Sequence, residues 1–179
     1  MRMPVSTIDP TEATDGGEAL PRIPFNRSFP TGYELKHIEE ALENMHISGD
    51  GPFTKKSQEV LEQEVGTLRA LLTTSCTHAL EMCGLLLNLS EGDEVIIPSF
   101  TFVSTANAFA LSGARPVFVD VRPDTLNIDE QAIAAAITPR TKAIVVVHYA
   151  GVACEMDAIM ALSRHYGIPV IEDNAHGLF

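Results

Sequence analysis

From residue 68 onward the sequence alternates short apolar runs, rich in β-branched residues, with longer segments of helical periodicity. That rhythm admits few architectures. Residues 68–73, 94–97, 116–121, 143–147 and 169–171 read as strands, and residues 77–87, 105–111, 129–137 and 156–165 read as helices. The strand runs are mostly apolar throughout rather than alternating, the pattern of strands covered on both faces. Each crossover is long enough for a right-handed parallel connection. The predicted fold class is therefore α/β, a mostly parallel sheet with helices on both faces.

Upstream, residues 1–22 carry Pro4, Pro10, Pro21, Gly16 and Gly17 without sustained periodicity and are expected to form a flexible leader to a domain spanning 23–179. Tyr33, Leu35, Ile38, Leu42 and Met45 recur at helical spacing, and residues 54–65 form a second helical segment beyond the glycine-rich loop 48–53.

With 45% hydrophobic residues among 179, the chain can bury a core, and its net charge of -12 argues against the clustered Lys and Arg that nucleic acid or an anionic membrane requires. Cys76, Cys83 and Cys154 form no C-x-x-C pair and leave an odd thiol, which argues against a disulfide framework or a zinc site. There is no apolar run of membrane-spanning length, and no basic stretch followed by an apolar one at the N-terminus. A cytoplasmic location with no membrane contact is the expectation.

In an open α/β sheet the ligand crevice lies beyond the carboxyl ends of the strands, so polar residues there carry the most information. Residues 73–78, TTSCTH, precede a helical segment. Unpaired N–H groups at a helix start, framed by small hydroxyl residues, suit a phosphate; an ordinary Ser or Thr cap accounts for one hydroxyl. Neither G-x-x-x-x-G-K nor G-x-G-x-x-G is present, which disfavours a P-loop or dinucleotide site. Phe102, after the strand ending at Ile97, offers a ring for stacking on a planar heterocycle, although Phe100 and Phe102 fit a core equally well. The run ending at Val147 passes into His148-Tyr149-Ala150-Gly151 and adds a further loop at the crevice. The last run breaks at Glu172-Asp173-Asn174-Ala175-His176-Gly177, placing a carboxylate and an imidazole three residues apart at a strand end; an exposed turn with a capping Asp explains the same residues.

Taken together, LLTTSCTHALEM, GDEVIIPSFTFVSTANAFALSGARPVFVDVRPDTLNID, HYAGVACEMDAI and VIEDNAHG resemble the DegT/StrS family of nucleotide-sugar aminotransferases, over residues 23–179. The resemblance implies the N-terminal part of the large domain of a fold-type I enzyme that uses pyridoxal 5'-phosphate (PLP). Carried onto this sequence, it implies that Cys76 and Thr77 hold the phosphate, Phe102 stacks on the pyridine ring, Asp173 pairs with the ring nitrogen and His176 lies near the 3-hydroxyl. Asn174 departs from the smaller residue commoner at its position. A nucleotide-sugar substrate, an amino-acid donor and a homodimer are implied as well.

In the family the lysine that bonds PLP comes from a later segment, and none of Lys36, Lys55, Lys56 and Lys142 matches its position. No catalytic residue is therefore assigned within this chain, which is expected to be a fragment, inactive by itself. Relatives with His in place of that lysine are sugar dehydratases, the alternative chemistry on this scaffold.

Overall fold

A computed structural model describes residues 27–177; the expected leader, residues 1–22, lies outside them. The chain divides into two units, residues 1–53 and 54–179. In the first, α1 (Glu34–Glu43) starts where the Glu34 carboxylate accepts hydrogen bonds from the Thr31 N–H and hydroxyl and the Gly32 N–H. Its own backbone N–H first, and then those donors, hold the Glu34 carboxyl at about 2. The helix stops earlier than its apolar spacing predicts, because Met45 turns into the left-handed region (φ 55°).

The helix α2 (Pro52–Val65) opens on a proline, whose fixed φ suits a first helical position and moves the start two residues ahead of the predicted Thr54. After it come α3 (Cys76–Leu86), β1 (Glu94–Pro98), α4 (Val103–Leu111), β2 (Arg115–Val119), α5 (Glu130–Ala136), β3 (Thr141–Val147), α6 (Met156–Tyr166) and β4 (Val170–Asp173).

The four strands form one all-parallel sheet in the order β2-β1-β3-β4. Every residue of β1 is buried. Val95 and Ile97 point to one face and pack with Leu80 of α3 and Ala108 and Phe109 of α4; Ile96 points to the other and packs with Ile133 of α5 and Ile159 of α6. The link from β1 to β2 thus covers one face, and the links onward to β3 and β4 cover the other. The direction of winding reverses between β1 and β3, the switch point beyond whose carboxyl end sheets of this kind bind their ligands.

At the opposite edge, Glu94 has no exposed surface and its carboxylate is held by Arg115, Arg140 and the Thr138 hydroxyl, tying together the starts of three strands.

Two predictions need correction. Residues 68–73 form no strand: Leu68 (93% exposed), Leu71 and Leu72 face outward, and no described backbone pairs with them. An apolar run becomes a strand only where a neighbouring ladder receives it, which periodicity cannot report. Conversely, β4 does not end at Ile171. Its pairing with β3 continues through Glu172 to Asp173, opposite Val147, and the His148 N–H extends it by donating to the Asp173 carbonyl at 3.1 Å.

Candidate functional site

Asp173 ends β4 and is 4% exposed. Its Oδ2 accepts the Thr105 hydroxyl at 2.7 Å, and its Oδ1 accepts the Ala175 N–H at 3.2 Å and the Cys76 thiol at 3.4 Å. These elements are remote in sequence, and the sheet brings them together: Thr105 lies in the first turn of α4 and Cys76 is the first residue of α3. Burial first, and then the neighbouring Asp173 charge, push the Cys76 thiol up to about 11, so it stays protonated as a donor. All three donors are neutral. Among the described residues no Lys, Arg or His forms an ion pair with Asp173, whereas a buried carboxylate normally has a cationic partner.

Helix α3 starts at Ser75, whose extended backbone and hydroxyl cap the His78 N–H at 3.2 Å. The Thr73 hydroxyl donates to the Ser75 carbonyl at 2.8 Å, and the Thr74 hydroxyl pairs with the His78 ring. Three of the hydroxyls in the predicted phosphate cup are therefore engaged locally. Thr77 keeps its hydroxyl without a hydrogen-bond partner among the described residues, and the N–H groups of Cys76 and Thr77, first in the helix, have no intrahelical carbonyl to bond.

Phe102 does not join the core. It is 71% exposed, has extended backbone, and directly precedes α4. Its carbonyl accepts the Thr105 N–H at 3.0 Å, so the exposed ring lies one turn ahead of the hydroxyl that holds Asp173.

The fourth participant is the turn after β3. There Tyr149 packs between Phe100 (centroids 4.7 Å apart) and His176 (5.1 Å, edge-on), and the Ala150 N–H donates to His176 Nδ1 at 3.0 Å, which leaves Nε2 to carry the ring proton when the ring is neutral. Asn127, buried beyond β2, supports this turn by accepting from the Tyr149 N–H and donating to the Val152 carbonyl.

Cys76, Thr77, Phe102, Asp173 and His176 all lie at or beyond the carboxyl end of the sheet. Sequence reasoning missed Thr105 and Asn127. Thr105 reads as an ordinary helical threonine, and its partner lies 68 residues away. Lys142, expected ahead of a strand, sits inside β3 near its start, and its Nζ lies 3.6 Å from Asp93, at the edge opposite the crevice. Among the described residues no His, Cys, Asp and Glu cluster could hold a metal ion, and no helix is long and apolar enough to cross a membrane.

A doubly wound parallel sheet with a helix start, an exposed ring and an uncompensated buried carboxylate at its carboxyl edge has the architecture of the large domain of fold-type I PLP-dependent transferases. The chain belongs to the DegT/DnrJ/EryC1/StrS aminotransferase family, whose model matches residues 31–179.

Three solved structures illustrate the likeness. It is 37% identical to 3-amino-5-hydroxybenzoic acid synthase (TM-score 0.80), with 88% of this chain and 41% of that one covered. It is 36% identical to NtdA from Bacillus subtilis with bound cofactor PMP, pyridoxamine phosphate (TM-score 0.76; 80% and 33% covered). It is 38% identical to the aminotransferase TlmJ from Streptoalloteichus hindustanus (TM-score 0.73; 81% and 40% covered). The chain thus spans at most about two-fifths of the length of these relatives.

Proposed function

We propose that the protein containing these residues is a PLP-dependent aminotransferase. It moves an amino group, from glutamate, to a 4-keto-6-deoxy nucleotide sugar, the chemistry of dTDP-4-amino-4,6-dideoxygalactose formation for cell-surface polysaccharide. Family membership supports the reaction class, and the PMP bound by the Bacillus subtilis relative, the aminated form of the cofactor, supports the cofactor. The sugar rests on the resemblance of the four sequence motifs to nucleotide-sugar enzymes. Cytoplasmic location and a homodimer belong to the same reading.

The observation that carries the proposal is the Asp173 carboxylate, buried, held by three neutral donors and lacking a cation among the described residues. A protonated pyridine nitrogen is the kind of group this site lacks: planar, cationic and a single donor. When bound, PLP supplies the electron sink that allows a C–H bond beside the transferred nitrogen to break.

The residues of this chain prepare that chemistry. Asp173 would keep the proton on the ring nitrogen. The Cys76 and Thr77 N–H groups, with the Thr77 hydroxyl, would accept the phosphate at the positive end of α3. Phe102 would lay its face against the ring, and His176, its Nδ1 engaged by Ala150, would turn its other nitrogen toward the 3-hydroxyl.

Fluorescence titration of the full-length protein with PMP tests the assignment. Asp173→Ala should weaken binding roughly a hundredfold, as expected when one partner of a buried charge pair is removed, and abolish transamination while the far-ultraviolet circular dichroism stays unchanged. Near-normal turnover in that variant would remove Asp173 from the site.

A further inference from the structure

Thr105 has no exposed surface, and nothing in its own helix requires its side chain. A helical threonine ordinarily returns its hydroxyl to the carbonyl four residues back. This one instead donates across the domain to Asp173 Oδ2 at 2.7 Å, and its oxygen lies 2.9 Å from the Thr101 hydroxyl. Counting protons fixes the direction: Thr105 has one hydroxyl hydrogen and spends it on the carboxylate, so Thr101 donates to Thr105. The result is an ordered relay from Thr101 through Thr105 to Asp173.

The other two donors serve Oδ1. One is a local backbone N–H two residues on, and the other is a thiol, a weak donor, at 3.4 Å. Oδ2 has Thr105 alone among the described residues. Branching at Cβ limits the rotamers open to this hydroxyl, and burial in α4 removes water as a substitute.

From this geometry we propose that Thr105 is a positioning residue for the cofactor's ring nitrogen: it fixes the orientation of the Asp173 carboxylate, with Thr101 fixing Thr105 in turn. The proposal rests on the PLP reading above and deepens it. Thr105 does not touch the cofactor; it acts through Asp173.

The test uses the full-length protein and PMP, which binds without a covalent bond. Thr105→Val keeps the shape and removes the hydroxyl. Losing a hydrogen bond to a charged group should raise the PMP dissociation constant about tenfold or more, and Thr105→Ser should restore it to within about threefold of the parent. If the valine variant fails to fold, Thr105→Ala removes the same hydroxyl with less bulk and should show the same loss.

The nitrogen-15 shift of ring-labelled PMP, measured at neutral pH, should report a protonated ring in the parent and in Thr105→Ser, and a partly deprotonated one in the variants without the hydroxyl. A lower melting temperature with unchanged PMP affinity and unchanged ring shift would make Thr105 structural and overturn the proposal. Failure of the parent protein to bind PMP would instead overturn the PLP reading, and this inference with it.

Discussion

Glu94 carries a full charge at the start of the central strand, and its surroundings fix how the molecule responds to acid. The Thr138 hydroxyl first, and then Arg115 and Arg140, hold its carboxyl at about 2 rather than the ordinary 4.5. Because the folded value lies below the unfolded one, this stabilisation is complete above about pH 4.5 and is lost as the pH falls toward 2. Urea midpoints measured from pH 7 to pH 2.5 should therefore fall less steeply in Glu94→Gln than in the parent over the acid half of that range. Equal slopes would assign the acid sensitivity to other carboxylates. At this scale legibility was uneven. Asp173 could be found because an acid at the end of an apolar run is conspicuous, whereas Thr105 could not, because nothing local distinguishes a threonine that caps nothing and bonds a residue 68 positions away.

Helix contacts depend on where backbones can approach. Gly84 of α3 faces α4 so closely that a Cβ there would lie 3.2 Å from the Ala108 carbonyl and 2.5 Å from the Ser112 hydroxyl. The hydroxyl could rotate away, but the carbonyl belongs to the helix backbone and cannot. Gly84→Ala gains helix propensity worth about 1 kcal/mol and still should destabilise by about 1–3 kcal/mol, because pushing two packed helices apart outweighs that gain. Chemical denaturation decides the sign, and a stabilised variant would show that α3 can shift outward freely. Because α3 carries Cys76 and α4 carries Thr105, the same substitution should also weaken the hold on Asp173. Element types were legible where a long periodic segment had clear ends, as in α6, which stops at Gly167 in the left-handed conformation (φ 68°). The run at 68–73 was misread because its leucines supply hydrophobicity without a strand beside them.

Over the whole sheet, β1 is the hinge between two cores. Ile96 and Ile97 are adjacent in sequence but pack in different clusters, one under α5 and α6 and the other under α3 and α4. Ile96→Val and Ile97→Val should each cost about 0.5–1.5 kcal/mol, and the double variant should equal their sum within about 0.5 kcal/mol, since the two side chains share no packing partners. A coupling much above that would mean the two faces communicate through the strand. The sequence by itself determined the α/β class and the parallel sense of the sheet, because apolar periodicity is a local signal, and polar breaks at the ends of apolar runs marked the segments where Cys76, Thr77, Phe102, Asp173 and His176 stand as candidates, their proposed roles coming from the resemblance. Tertiary structure alone decided the strand order, the extension of β4 to Asp173, the exposure of Phe102 and the Thr101–Thr105–Asp173 relay. Each depends on which backbone or hydroxyl arrives from a distant segment, and chain closure over that distance leaves no mark on the residues themselves.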